Sequence, residues 1–456
     1  MQLAPYYNLS NLCAIIDINR LGQRGETMVG WNIDKYSKRF ASFGWEVEII
    51  NGHNIAQIIS AFRKFRRTKR PFVILAKTVK GKGISFLENK EGLHGRTLTN
   101  TELKNALDEI HIDENIDFRI NKSRPAKNNN EKLLIKKPFI TRYAQNISIA
   151  TREAYGNALS NLAKTNKNIL AVDAEVSNST FAEKVKFSAW RQFIEAFVAE
   201  QNMISLSLGL SIKGFNVFTS SFAAFLTRAH DQLRMAALSK APMTVCGSHA
   251  GVSIGQDGAS QMGLDDISMF RDLPQSIIFY PSDAISTEKI TQLAATLNKN
   301  SIKYIRTTRP KTPIIYLPKE IFFLGDFKIL RKSGKDKIVL IGAGITLHES
   351  IKANEILNKK NINSAVIDLY CIKPLKIRKL ISFIKKHGKR VIVTEDHYEE
   401  GGIGEMLNHE LSNTGIKISN LAIKETPHSG TTEELLRKYC IDSDSIARAA
   451  IKLLSS

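Results

Sequence analysis

Along the whole chain, short apolar runs rich in β-branched residues alternate with stretches of helical period, the signature of parallel sheets covered by helices on both faces. The pattern predicts strands at residues 12–18, 46–51 and 71–76, then at 169–173, 216–219, 243–246, 277–280 and 303–307, and finally at 338–341, 364–368 and 391–395. Between the second and third of these, Ile55, Ile58, Ile59, Phe62 and Phe65 recur at i, i+3, i+4 and i+7 and so predict a helix with one buried face. Arg63, Lys64, Arg66, Arg67, Lys69 and Arg70 gather at its C-terminal end, where cations oppose the helix dipole favourably. An apolar helix near 446–454 closes the chain.

Residues 118–138 break this pattern. Their stretch RINKSRPAKNNNEKLLIKK is polar and aperiodic, the composition of a linker. We therefore expect an α/β chain of three doubly wound domains with mainly parallel sheets: a small, incomplete first domain at 1–117, a linker at 118–142, a second domain at 143–312, and a third with its connection at 313–456. A length of 456 residues leaves room for several cores. The composition, 43% hydrophobic and 24% charged, is globular, and no apolar run approaches the roughly 18 residues that a membrane span needs. The first residues lack a basic n-region and Asp17 interrupts their apolar core, so no secretory signal is expected and the cytoplasm is the expected location. Cys13, Cys246, Cys371 and Cys440 show no zinc or redox spacing and read as reduced structural thiols. The formal charge of +21 suits phosphorylated substrates or nucleic acid. Because the lysines are spread through helices such as 376–389 without aromatic interleaving, a solvated basic surface is the plainer reading and nucleic acid ranks last.

The strand at 12–18 runs into DINRLGQ, which resembles the second half of the thiamine-diphosphate motif, Gly-Asp-Gly followed further on by Asn. An Asn at a strand end commonly caps a turn. The resemblance implies instead that the Asn19 side chain and the Leu21 carbonyl bind Mg²⁺ or Ca²⁺, bridging the cofactor diphosphate. Further along, FIEAFVAEQNMISLSLGLS is similar to the transketolase segment whose glutamate activates the cofactor, and FTSSFAAFLTRAHDQLRMAA extends the match. By this resemblance Glu200 hydrogen-bonds the aminopyrimidine ring and favours its imino tautomer, and Phe225 stacks on the same ring. A carboxylate suits that role because it can share a proton with a ring nitrogen. Read singly, Glu200 is also a plain helix N-terminal acid and Phe225 a plain core aromatic.

Sugar phosphates call for cations and hydrogen-bonding groups. The resemblance places the family's phosphate-binding residues on Arg152 in IATREAYGNAL, Ser179 in SNSTF, His249 in CGSHAGVSIGQDGASQ and Arg309 in IRTTRP. It places substrate contacts on Asp257 and Gln261 of that glycine-rich stretch, and gives His249 a catalytic part as well. AKTVKGKG and EGLHGR resemble the family's lysine and histidine near the diphosphate, here Lys77 and His94, with His94 also stabilising charge on the reacting carbonyl oxygen. Any one of these is an ordinary surface residue; their joint occurrence in family order carries the inference. KGKG lacks P-loop spacing and VLIGAGITLHES lacks a third glycine, so neither reads as a nucleotide loop. EDHYEEGGIGE fits the family's C-terminal domain.

The implied activity is that of a transketolase, which moves a two-carbon ketol group from a ketose phosphate to an aldose phosphate. The family's homodimer would bring Glu200 and Phe225 together with Asn19 and His94 of the other copy. Met1 aligns inside the helix between Gly-Asp-Gly and Asn, so roughly the first third of the usual chain, including the metal's anionic aspartate ligand, has no counterpart. Three readings of that follow: a truncated and catalytically silent remnant, a misplaced start, or half of a split enzyme completed by a separately encoded N-terminal half. The related 1-deoxyxylulose-phosphate synthases are disfavoured by the joint presence of Arg152, Ser179, His249 and Arg309.

Overall fold

The computed structural model describes residues 1–110, 141, 143–144, 147–297 and 300–455, so the expected linker lies almost wholly outside the described residues. The chain forms two compact units, Met1–Ala126 and Lys127–Ser456, each with hydrophobic clusters of its own.

In the first unit three parallel strands lie in the order Cys13–Ile18, Phe72–Lys77, Glu46–Asn51. The central strand is the most apolar, and Phe72 to Ala76 are all buried, as a strand covered on both faces must be. On one face Ile18, Val73 and Leu75 pack with Trp45 against Ile33, Tyr36 and Phe40 of the helix Ile33–Ser42. On the other, Phe72, Ile74 and Ala76 meet Ile58, Ala61 and Phe65 of the helix Ile55–Phe65. The side chain of Asn54 starts that helix by accepting from Gln57 N. Its apolar residues do not form the single buried face expected: Ile55, Ile59 and Phe62 are 68%, 46% and 40% exposed. One helix, about 10 Å across, covers roughly two strands spaced about 4.8 Å apart. The third strand is left open, and its Ile15 is 58% exposed.

The second unit holds a seven-stranded sheet in the spatial order Cys371–Lys373, Ile277–Phe279, Lys303–Arg306, Thr244–Ser248, Asn216–Phe222, Ile169–Asp173, Phe193–Glu195. All its pairings are parallel except that of Cys371–Lys373. A five-stranded sheet follows in the order Lys328–Arg331, Ser364–Asp368, Ile338–Gly342, Arg390–Tyr398, Lys417–Ile423, again parallel except for its first member. The mixed α/β architecture with parallel-dominated sheets is thus the one the alternating pattern predicts. Each predicted strand is present within a few residues, the largest extensions being at Asn216–Phe222 and Arg390–Tyr398. No helix among the described residues is long and apolar enough to cross a membrane, and all four cysteines are free thiols.

Two features lock the sheets together. Directly after Ser364–Asp368 the chain leaves the five-stranded sheet and adds Cys371–Lys373 to the edge of the seven-stranded one. Between the sheets lies Arg306, fully buried. Its Nε donates to Asp266 Oδ2 at 2.8 Å, its Nη2 to the carbonyls of Gly263 and Asp396 at 2.9 Å each, and its guanidinium lies 4.5 Å from the centre of the Tyr280 ring. Burial opposes the charge on Asp266, but Arg306 and then His397 outweigh it and hold the carboxyl below its usual range. Removing one member of such a pair strands the other in a dry interior. Arg306→Met is accordingly expected to lower the unfolding free energy by about 3–5 kcal/mol, and Arg306→Met with Asp266→Asn by clearly less. Urea unfolding of both variants checks this, and equal losses would contradict it.

Candidate active site

Glu200 opens the helix Glu200–Ile212, so its backbone sits at the positive end of the helix dipole. The residue is 6% exposed, and its Oε2 has no hydrogen-bond partner among the described residues; the nearest cation, Arg228 Nε, stands 3.8 Å away. A buried carboxylate oxygen without a partner is uncommon and points to a group the site is built to receive. Phe225 lies on the short 3-10 helix Ala224–Ala229. It stacks at 4.9 Å on Phe222, which in turn stacks at 3.8 Å on the His249 ring. A continuous row of rings therefore runs from Phe225 to His249.

At the far end of that row the structure brings five of the expected residues together. Arg152 Nη1 donates to the carbonyl of Ser179 at 2.8 Å and stands 3.5 Å from His249 Nε2. Arg309 pairs with Asp257 at 2.9 Å and donates to the carbonyl of Ile254 at 3.1 Å. Gln261 follows on the same glycine-rich loop, its backbone N–H donating to Gly258. Arg152 Nε is buried without a partner among the described residues. Burial, then the charge of Arg309, lowers the pKa of the Arg152 guanidinium. Burial, Arg152 and Arg309 together push the His249 pKa down to about 3, so the ring is neutral at physiological pH. Two close guanidiniums and an unused N–H form a site prepared for an anion.

The first unit places Asn19 and Lys77 side by side, because Ile18 and Lys77 are paired in the parallel sheet and Asn19 follows at the same C-terminal edge. Ligands of α/β proteins gather at such edges. Asn19 Oδ1 accepts from Leu21 N at 3.0 Å, the turn cap that an Asn at a strand end often makes. Lys77 Nζ stands 5.4 Å from the centre of the Trp31 ring, and His94 Nδ1 faces Lys80 Nζ at 2.9 Å. No cluster of three or more His, Cys, Asp or Glu able to hold a metal ion occurs among the described residues. Asn19 and Leu21 offer only neutral oxygens and do not by themselves fit Mg²⁺, which keeps carboxylate or phosphate ligands. The buried Glu200 oxygen without a hydrogen-bond partner, by contrast, has the chemistry to meet an aminopyrimidine ring.

Several residues that shape the site escaped the sequence reading. Ser248, fully buried, pairs with His249 Nδ1 at 2.7 Å. Phe222 stacks between Phe225 and His249, and the ring of Phe181 lies 5.3 Å from the Arg152 guanidinium. The Asp396 carboxylate accepts from Val252 N and Ser253 N, and Gly251, at φ +86°, passes so close that a Cβ would lie 2.0 Å from Asp396 Oδ2. Ser248, Phe222 and Gly251 stand inside the motifs already singled out, but nothing in the sequence distinguishes them there. Asp396 lies in EDHYEEGGIGE, far along the chain from this loop, and nothing in that stretch tied it to the site.

Three family models match in succession: the transketolase thiamine diphosphate binding domain over residues 1–146, the transketolase pyrimidine binding domain over 147–314, and the transketolase C-terminal domain over 325–446. A human transketolase is 42% identical over 459 aligned residues, spanning 100% of this chain and 73% of its own length. The share of that relative outside the match is nearer a quarter than a third. The crystal structure of a Campylobacter jejuni transketolase superposes with a TM-score of 0.83 over 99% of this chain and 74% of its own, and at 21% identity it speaks to the fold alone. A split-gene transketolase solved as an inactive β4 tetramer is 31% identical, with a TM-score of 0.62, and covers 67% of this chain and 99% of its own. Sequence and fold agree along the chain, and it belongs to the transketolase family, whose enzymes transfer ketol groups.

Proposed function

We propose that this chain carries out reversible two-carbon ketol transfer, from a ketose phosphate such as xylulose 5-phosphate to an aldose phosphate such as ribose 5-phosphate, in the pentose phosphate pathway of the cytoplasm. The observation that carries the reading is that the second unit holds both an anion-ready cluster, at Arg152, His249 and Arg309, and a buried Glu200 oxygen without a hydrogen-bond partner. Arg152, Arg309 and His249 would bind the terminal phosphate, with the Ser179 segment holding Arg152 in place. Asp257 and Gln261 would meet sugar hydroxyls, Asp257 being set by its ion pair with Arg309. Glu200 Oε2 would hold the proton shared with the pyrimidine nitrogen of thiamine diphosphate, and Phe225 would flank that ring. When bound, thiamine diphosphate supplies the electron sink for breaking and remaking the carbon–carbon bond.

In the first unit Lys77 and His94 would face the diphosphate. A divalent cation, Mg²⁺ or Ca²⁺, at Asn19 and Leu21 would need a carboxylate from elsewhere, and no step is derived through it. Phe187, Trp190 and Val198, which are 78%, 69% and 75% exposed and lie shortly before Glu200, support a homodimer.

A second reading has its own support. The open edge of Cys13–Ile18, the exposed Ile15, and the stripe Ile55, Ile59 and Phe62 favour a first unit completed by a further strand and helix, supplied by a separately encoded N-terminal segment. On that reading a polypeptide spanning the N-terminal quarter of a relative co-elutes with this chain and tightens its binding of thiamine diphosphate; absence of a complex at micromolar concentrations counts against it.

Calorimetry with ribose 5-phosphate and with ribose tests the main proposal. Arg309→Leu is expected to weaken the phosphorylated sugar about 10- to 100-fold, the loss of one charge-assisted interaction, and to leave ribose unchanged. A wild-type protein that does not distinguish the two sugars would refute the anion site. From pH 7 to pH 5 an ordinary histidine would gain charge and tighten binding, whereas His249, held at about 3, stays neutral. Affinity should therefore fall with the phosphate's own second ionisation near about 6; a rise would contradict the assignment.

A further inference from the structure

The two contacts of the His249 ring nitrogens among the described residues favour one tautomer, and an anion arriving at Nε2 favours the other. Arg152 has only N–H donors, so its Nη1, 3.5 Å from His249 Nε2, favours a lone pair on that nitrogen. The neutral ring then carries its one hydrogen on Nδ1, which donates to Ser248 Oγ at 2.7 Å. A phosphoryl oxygen is an acceptor and needs the opposite arrangement, a hydrogen on Nε2. The ring is poorly placed to meet this demand by turning over: it is 3% exposed, is stacked on Phe222 at 3.8 Å and 21°, and sits on backbone at φ +57°.

We propose that Ser248 is a positioning residue of the anion site, a hydroxyl that accepts from His249 Nδ1 in the free protein and donates to it in the complex, so that Nε2 turns from acceptor to donor without gaining charge. The inference rests on the reading that Arg152, His249 and Arg309 bind a phosphate monoester. The balance closes: one proton leaves Nδ1 and one arrives at Nε2 by exchange with water, the Ser248 O–H rotates from pointing away to pointing at Nδ1, and the net charge of the pair is unchanged. A hydroxyl can do this because it both donates and accepts; a carboxylate or a backbone carbonyl at Nδ1 would lock one tautomer. Ser248 is well placed for such an exchange, since it ends the buried strand Thr244–Ser248, is itself fully buried, and has no other side-chain partner among the described residues.

The test is ¹⁵N NMR of protein labelled at histidine, with the His249 signals assigned by their loss in His249→Gln, titrated with inorganic phosphate. In the wild type and in Ser248→Thr the proton should sit on Nδ1 without phosphate and on Nε2 with it. In Ser248→Ala the tautomer should no longer invert, and phosphate should bind about fivefold more weakly, the loss of one supporting hydrogen bond. Wild-type protein that binds phosphate with the proton on the same nitrogen in both states overturns the inference and leaves the anion site standing. Inversion in Ser248→Ala as complete as in the wild type also overturns it. Phosphate that does not bind the wild type at all overturns the anion site itself.

Discussion

A single buried cation sets the geometry on which the second unit's site depends. Arg306 lies between the two sheets with no exposure, gripping Asp266 through its side chain and Gly263 and Asp396 through their carbonyls. Those partners in turn hold the loop that follows Thr244–Ser248. Gly251 N donates to the Gly263 carbonyl, and Val252 N and Ser253 N donate to the Asp396 carboxylate. His249 stands at the start of that loop, and the carbonyl of Ile254, which receives Arg309, at its end. A buried ion pair adds little over a well-packed apolar substitute. Its effect here is geometric, since it fixes backbone groups from both sheets at once and so positions the loop that carries His249 and receives Arg309.

From that frame the two ends of the site differ in kind. Around Arg152, Arg309 and His249 nearly every group has a partner: Arg152 on Ser179, Arg309 on Asp257, His249 on Ser248. Around Glu200 the buried Oε2 has no hydrogen-bond partner among the described residues, and only Arg228 stands near it at 3.8 Å. The rings of Phe225, Phe222 and His249 stack at 4.9 and 3.8 Å, so packing couples the positions of Phe225 and His249. In the first unit Asn19 caps its own turn at a strand edge, and no cluster of three or more His, Cys, Asp or Glu able to hold a metal ion occurs among the described residues.

Much of this was legible in the sequence, for identifiable reasons. Parallel strands buried on both faces are continuous apolar runs, so 169–173 and 364–368 could be located to the residue. Lys311–Pro313, Lys328–Arg331 and Cys371–Lys373 were not found, because three- or four-residue edge strands carry too little pattern and depend on their partners for definition. The helix Ile55–Phe65 was placed correctly, but its pattern showed which residues are apolar and not how much sheet lies beneath them, so Ile55, Ile59 and Phe62 were expected inside. Glu200, Arg152 and Arg309 were visible through resemblance to a family. Ser248, Phe222 and Asp396 were not, because their roles arise only from contacts made in the fold.

The central claim is that the unpartnered oxygen of Glu200 is what activates the cofactor. It is tested most directly by hydrogen–deuterium exchange at the thiazolium C2 position of thiamine diphosphate held by the protein, quenched in acid and read by ¹H NMR, in the wild type and in Glu200→Gln. The account predicts exchange faster than in the free cofactor, and its loss by about 10²-fold or more in the variant, the usual scale of a positioned proton-transfer group. Exchange in Glu200→Gln as fast as in the wild type would contradict it.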